Sequence, residues 1–141
     1  MVEIRMKYEG ALRCQAVHSP SQTAVLTDAP VDNQGKGESF SPTDLVATAL
    51  GTCVLTTMAI VAERHGWRMI GSEIKVVKHM VADPARRIGK LAVEIKMRGA
   101  FDQRARETLE RTAHTCPVHK SLAPNVEIPM SFEWDATGVR A

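Results

Sequence analysis

Two of the three cysteines in this 141-residue chain lie where thiol chemistry could occur. Cys53 lies within an uncharged stretch, residues 45–62, and Cys116 is followed directly by proline in the sequence HTCPVHKSL. The thiolate is the reactive form of cysteine, and nearby charges and burial set how much of it forms. These two sulfur atoms could therefore belong to small buried side chains or form the two halves of a redox couple.

Cys116 precedes Pro117, which favours a place for this cysteine at the N-cap of a short helical turn. Free backbone N–H groups and the positive end of a helix dipole stabilise a thiolate there. His114, His119 and Lys120 lie nearby, and we expect them to lower the pKa of Cys116 further. His114, Cys116 and His119 could also suggest a zinc site, but no fourth ligand is apparent in the sequence. A plain structural N-cap is the alternative to a functional thiol.

Cys53 has a different environment, because it is predicted to be buried in the middle of a helix. Burial alone would raise its pKa and leave it inert, so a cation or a hydrogen-bond donor must reach it if it is to react. A buried small side chain is the alternative interpretation for Cys53. Cys14 alternates with Leu12 and Ala16, and we expect it to belong to the core.

The residues around Ser41 predict the start of a long helix. Ser41 is a suitable N-cap, Pro42 suits the first helical position, and Asp44 resembles the acidic arm of a capping box. The helix is predicted to run to about His65 and to stop at Gly66. Asp44 could instead be a catalytic acid, but a cap is the favoured interpretation.

Alternation of apolar and polar residues predicts strands on both sides of this helix, and a spacing of four residues predicts a second helix. Pro129 suggests that the last strand lies at a sheet edge. The predicted elements are strands over residues 2–8, 12–16 and 23–27, the long helix, strands over 72–81 and 90–98, a helix over 102–114, a helical turn from 116 and a strand over 126–134.

The predicted order β-β-β-α-β-β-α-α-β indicates an α+β fold with antiparallel strands around a long, central, buried helix. We predict one domain over residues 1–141. A chain of this size has few strands with which to cover an apolar helix on all sides. We therefore expect a homodimer that shares the core.

The overall composition argues against several classes of function. The formal charge is +2 with acids and bases interspersed, which gives no sign of a nucleic-acid partner. Residues 45–62 are rich in Thr, Ala and Gly and are flanked by amphipathic strands, so we interpret them as a core helix and not as a membrane span. The first residues lack the apolar core of a signal peptide, and the number of cysteines is odd. We therefore expect a reducing compartment, the cytoplasm.

The sequence SPTDLVATALGTC, followed far along the chain by TCPVHKSL, resembles the paired motifs of the OsmC/Ohr family of thiol-dependent peroxidases. The stretch DAPVDNQGKGESF matches the Gly-rich loop that precedes the first motif in the OsmC-like branch. The predicted element order also agrees, so the resemblance covers nearly the whole chain. Either motif alone is weakly specific, but the pair at this spacing is strongly specific.

The resemblance implies an intertwined homodimer with active sites at the subunit interface. It implies that Cys53 is the peroxidatic cysteine and that Cys116 converts the Cys53 sulfenic acid into a disulfide. An external dithiol, such as a lipoyl or thioredoxin-like donor, would reduce that disulfide. It further implies that no metal or flavin cofactor is needed, because sulfur supplies both electrons.

The chain departs from the family motif at one position. Members of the family place a glutamate directly after the proline of this motif, where it orients an activating arginine. This chain has Thr43 at that position, and the acid follows one residue later at Asp44. Asp44 is therefore the candidate replacement for the missing glutamate.

The activating arginine has to be identified separately. We predict Arg13, on the second strand, because it could cross the dimer to Cys53; Arg5 and Lys36 are weaker candidates. The predicted catalytic residues are Cys53, Cys116, Arg13 and Asp44.

A second function fits the same fold. A non-peroxidatic member would bind a small apolar or electrophilic ligand in the dimer groove, or would sense thiol redox state without turnover. Fold alone cannot distinguish these functions. The difference lies in whether Cys53 is ionised and reaches Cys116.

Overall fold

The computed structural model describes residues 1–137 of the chain. The predicted α+β class and element order are confirmed, with one 3-10 turn, Val31–Asn33, added in the Gly-rich loop. The elements are β1 Ile4–Gly10, β2 Arg13–His18, β3 Ala24–Asp28, α1 Pro42–Arg64, β4 Glu73–Val81, β5 Arg87–Arg98, α2 Gln103–Ala113, α3 Pro117–Ser121 and β6 Met130–Asp135.

The chain forms two compact units, one from Met1 to Val46 and one from Ala47 onward. The boundary falls inside α1, so this helix contributes its first turn to one unit and the rest to the other. That residues 1–141 fold as one domain stays a prediction.

The first unit is an antiparallel sheet with strand order β1-β2-β3. One face of β1 carries Ile4, Met6 and Tyr8, and each of these side chains is exposed in the single chain. Cys14, expected in the core, is half-buried on β2 and lies opposite Tyr8 on one neighbouring strand. The apolar face of this sheet is therefore largely uncovered in one protomer.

The Gly-rich loop after β3 is folded tightly. Gly35 donates its backbone N–H to the carbonyl oxygen of Pro30 at 3.0 Å. A Cβ atom on Gly35 would lie 1.6 Å from the carbonyl oxygen of Ala29, which no side chain can tolerate. Only glycine fits at this position without a shift of the backbone.

The predicted capping box at the start of α1 is confirmed. The Asp44 backbone N–H donates to Ser41 Oγ at 3.1 Å, and the Ser41 backbone N–H donates to Asp44 Oδ2 at 2.9 Å. Gly66 follows the helix with φ of +73°, the left-handed conformation that ends many helices.

Burial on α1 is confined to one face, as expected for a long apolar helix that one chain of this size cannot cover on all sides. Gly51 brings this face against β4, because a Cβ there would lie 3.1 Å from Val76 Cγ2. By length and composition α1 could cross a membrane. Core helices of soluble proteins are often equally long and apolar. In the most apolar 18 residues of α1, 33% are buried. The buried residues are Ala47, Leu50, Gly51, Val54, Met58 and Ala62.

The second unit contains a sheet with strand order β4-β5-β6. The β4–β5 pair is antiparallel as predicted, but β6 runs parallel to β5, so the prediction that all strands pair antiparallel is wrong for this pair. Parallel neighbours need a long connection that returns the chain to the end of the sheet where the first strand began. Here α2 and α3 lie between β5 and β6 and form that connection. The buried apolar side chains of β5 are Leu91, Val93, Ile95 and Met97.

The helix α2 begins and ends close to the predicted positions. The Asp102 side chain accepts a hydrogen bond from the Ala105 backbone N–H at 2.8 Å and caps the helix. Three residues of its apolar face are buried, and Trp134 of β6 donates to Glu110 at 3.2 Å. This packing fixes the segment between β5 and β6, from which α3 begins.

Candidate active site

Cys116 occupies the N-cap of α3, as the sequence predicted. Pro117 begins the helix, and the Cys116 Sγ atom accepts a hydrogen bond from the His119 backbone N–H at 3.2 Å. The side chain is fully buried. The cap therefore holds the sulfur in one orientation inside the second unit.

The pKa of Cys116 is raised, so the prediction of a lowered pKa is wrong. Burial has the largest effect, because the charged thiolate loses its water. The His119 and Val118 backbone N–H groups oppose the shift, while the sulfur of Cys53 adds to it. Desolvation of the completely buried sulfur raises the pKa by more than the N–H groups of the cap lower it. The local sequence could not reveal this burial.

Cys53 lies on α1 and is half-buried, whereas the sequence predicted a fully buried thiol. Its Sγ atom lies 4.0 Å from the Thr57 hydroxyl oxygen one helical turn later, and it is near enough to the Cys116 sulfur to raise the pKa of that thiol. The fold thus brings two thiols that are distant in sequence close to each other. All three cysteines are free, so both thiols of this pair are reduced.

The two histidines next to Cys116 do not complete a metal site. The His114 and His119 rings meet edge to face with centroids 6.1 Å apart. In the part of the chain that the structure describes, no group of three or more His, Cys, Asp and Glu side chains could hold a metal ion. The thiol pair is therefore the chemical feature of this region.

Arg13, the predicted activating cation, lies in the first unit between two carboxylates. Its guanidinium forms a short ion pair with Glu38 and lies 3.6 Å from Asp28 Oδ2. Glu38 and, to a smaller degree, Asp28 raise the pKa of Arg13. Sequence reasoning missed both acids, although Asp28 directly follows the predicted third strand and Glu38 lies in the Gly-rich loop.

The other predicted site residues have local partners. Asp44 accepts from the Ser41 backbone N–H in the capping box. Arg5 bonds Glu3 at 2.7 Å on an exposed strand, and Lys36 is exposed in the loop. Arg13 is therefore the candidate cation held by a buried carboxylate.

Comparison with known proteins defines the family. The model of the OsmC-like protein family matches residues 35–131, which include both cysteine motifs and more than half of the chain. The chain belongs to the OsmC-like family. Among curated proteins, no sequence matches it at a significant level.

Solved structures agree with this assignment. A Psychrobacter arcticus protein named for an osmotic stress induced and detoxification response is 41% identical, with a TM-score of 0.89 over 94% of this chain and 96% of that one. An organic hydroperoxide resistance protein of Legionella pneumophila is 18% identical, with a TM-score of 0.73 over 94% and 96%. One from Bacillus subtilis is 16% identical, with a TM-score of 0.70 over 94% and 98%. The two distant structures share the fold of this chain.

Proposed function

We propose that this protein is a thiol-dependent peroxidase that reduces organic hydroperoxides in defence against oxidative stress. The observation that carries the proposal is the proximity of Cys53 and Cys116, which lie close enough for Cys53 to raise the pKa of Cys116. Family membership supports the same class of function, and two structural relatives are named for organic hydroperoxide resistance. A two-cysteine cycle requires that the resolving thiol can reach the oxidised cysteine, and two neighbouring free thiols meet that requirement.

In the proposed reaction, the Cys53 thiolate attacks the terminal oxygen of the hydroperoxide. The O–O bond breaks, the alkoxide takes up a proton and leaves as an alcohol, and Cys53 becomes a sulfenic acid. The Cys116 sulfur then attacks the Cys53 sulfur and displaces water, which forms a disulfide. An external dithiol, lipoyl or thioredoxin-like, reduces this bond by two exchange steps and is itself oxidised to a disulfide.

The environments of the two thiols support this division of roles. Cys53 is half-buried, so a peroxide can approach it, whereas Cys116 is completely buried. The raised pKa of Cys116 keeps it protonated at neutral pH. A protonated Cys116 can donate its S–H to the Cys53 sulfur, and a hydrogen bond to the thiolate stabilises the charged form. Cys53 is therefore the nucleophile and Cys116 the resolving thiol.

The proposed catalytic set also contains Arg13 and Asp44. In a homodimer, Arg13 of one protomer serves as the cation that activates Cys53 of the other. Asp44 acts through the helix, because its carboxylate helps to start α1, which carries Cys53. The exposed apolar side chains of β1 support a dimer in which a second copy covers them. A reducing compartment such as the cytoplasm would keep both thiols ready for the cycle.

Cysteine variants test the proposed cycle directly. With excess dithiol, we expect wild type to consume cumene hydroperoxide continuously and Cys53→Ser to consume none. Cys116→Ser should react once per active site and then stall, because its sulfenic acid has no resolving thiol. Cys14→Ser is the matched control and should turn over like wild type. Equal turnover of wild type, Cys53→Ser and Cys116→Ser would exclude the two-cysteine cycle.

One surface feature supports the binding function as a second candidate. A groove of about 340 Å³ lies along the exposed side of α1 in the second unit. Its apolar lining suits a small apolar ligand. Saturable binding of a fluorescent apolar probe, with no peroxide turnover by wild type, would favour this function. The lining residues are Leu55, Thr56, Ala59, Glu63, Trp67, Arg68, Met69, Ile70 and Ser72.

A further inference from the structure

The carboxylate of Asp28 is the buried partner of Arg13. Asp28 ends β3 and lies directly opposite Arg13 in the strand register. Its exposed fraction is 1%, its Oδ2 atom lies 3.6 Å from Arg13 Nη2, and the same oxygen accepts the Glu38 backbone N–H at 3.0 Å. The strand and this hydrogen bond together fix the carboxylate in place.

The second oxygen of this carboxylate lacks a partner. Oδ1 of Asp28 is buried and accepts no hydrogen bond from any described residue. A buried carboxylate oxygen without a hydrogen-bond donor costs free energy, so a donor that reached this oxygen would stabilise the protein. A guanidinium carries parallel N–H donors that match both oxygens of a carboxylate. Arg13, whose Nη2 lies 3.6 Å from Oδ2, is the cation that pairs with this carboxylate and carries such donors.

Glu38 pairs with Arg13 at the protein surface, unlike the buried Asp28. Its side chain is 60% exposed and lies on the Gly-rich loop, although it forms the shorter ion pair. Ion pairs between exposed groups contribute little free energy because water screens them. We therefore expect the buried Asp28 to fix the position of Arg13, and we expect loss of the Glu38 charge to matter less.

We propose that Asp28 is the positioning residue for Arg13. The inference deepens the proposed function and rests on it, since Arg13 is there the cation that activates Cys53. Glu38 pairs with the guanidinium at the surface, and the buried Asp28 carboxylate limits how far the guanidinium can move. Asp44 accepts the Ser41 backbone N–H in the capping box and so helps to start α1.

Three isosteric changes from acid to amide test the assignment. Asp28→Asn removes the buried charge, and Glu38→Gln removes the exposed charge on the same arginine. Glu3→Gln is the matched control, because it breaks an exposed pair with a different arginine, Arg5. We measure kcat/KM for cumene hydroperoxide and the Arg13 Nε–Hε resonance, which is assigned by its absence from Arg13→Lys. Thermal unfolding checks each variant, and Asp28→Ser replaces Asp28→Asn if the latter does not fold.

We expect Asp28→Asn to lower kcat/KM by about 10- to 100-fold, because a misplaced catalytic group has effects of that size. The Arg13 resonance should shift or broaden in the same variant. Glu38→Gln should lower kcat/KM by less than about fivefold, and Glu3→Gln should change neither readout. A role in stability alone would move the unfolding temperature and leave the resonance of the folded protein unchanged.

The outcomes separate this inference from the proposed function. If wild type turns over and Asp28→Asn matches Glu3→Gln in both readouts, the assignment of Asp28 is wrong and the peroxidase proposal stands. If wild type shows no turnover, the peroxidase proposal fails. The resonance then decides: a change in Asp28→Asn that exceeds the change in Glu38→Gln supports Asp28 as the positioning residue, and no such change overturns it.

Discussion

At the scale of single residues, Cys53 and Cys116 differ in exposure as well as in sequence context. The motifs around them could be recognised without a structure, and so could the N-cap position of Cys116. The sign of the Cys116 pKa shift could not be predicted, because it depends on complete burial of the sulfur by residues distant in sequence. The partners of Arg13 were missed for the same reason, since strand register and loop closure bring Asp28 and Glu38 to it.

The raised pKa of Cys116 predicts how stability depends on pH. Between its ordinary value near 9.0 and the raised folded value, the folded state binds more protons than the unfolded state. The stabilising contribution is therefore fully present below pH 9.0 and is lost as the pH rises through the folded pKa. We expect the free energy of unfolding in urea to fall more steeply above that pH for wild type than for Cys116→Ser. Parallel curves for the two proteins would contradict the shift.

At the scale of elements, the helix that carries Cys53 could be predicted most accurately. Ser41, Pro42 and Gly66 are local signals, and local signals are visible in sequence. The parallel pairing of β6 could not be predicted, because it depends on how α2 and α3 pack between two strands. Which face of α1 is covered could not be predicted, since an almost uncharged helix gives little indication of that face.

The capping box predicts a stability effect without a comparable effect on rate. Ser41→Ala should lower the free energy of unfolding by about 0.5–2 kcal/mol, as the loss of an N-cap usually does. Asp44→Ala should have a similar effect, and the double variant should lose less than the sum because both changes remove one motif. Urea unfolding and hydroperoxide consumption measure the two quantities. A collapse in rate with unchanged stability would make Asp44 the catalytic acid.

The Gly-rich loop predicts a second effect at this scale. Gly35→Ala forces a Cβ atom into the Ala29 carbonyl, so the loop must shift, at a cost of about 1–3 kcal/mol. Because the loop carries Glu38 and orders the Asp28 carboxylate, hydroperoxide turnover should fall as well. Lys36→Ala, at an exposed neighbouring position, is the control and should leave both quantities unchanged. Wild-type stability and rate in Gly35→Ala would show that the loop adapts freely.

At the scale of the whole molecule, the two cysteine motifs indicated the family, and the fold class followed from the element order. The dimer stays a proposal, because the sequence pattern does not show which surfaces of two protomers would meet. The exposed apolar side chains on β1 define the surface to test.

The proposed dimer predicts a change of mass with one substitution. Met6→Glu places a charge on the apolar face of β1, so it should shift the protein from dimer to monomer in sedimentation velocity. Lys7→Glu, on the opposite face of the same strand, is the matched control and should remain a dimer. A monomeric wild type would contradict the shared core, and a dimeric Met6→Glu would place the interface elsewhere.

The central claim is that one hydroperoxide molecule converts the Cys53–Cys116 contact into a covalent bond. Reduced protein treated with one equivalent of cumene hydroperoxide, without added dithiol, can be digested at low pH and mapped by mass spectrometry. We predict loss of two of the three free thiols and a peptide pair joined through Cys53 and Cys116, with Cys14 still reduced. Three free thiols after treatment, or a disulfide that contains Cys14, would contradict the account.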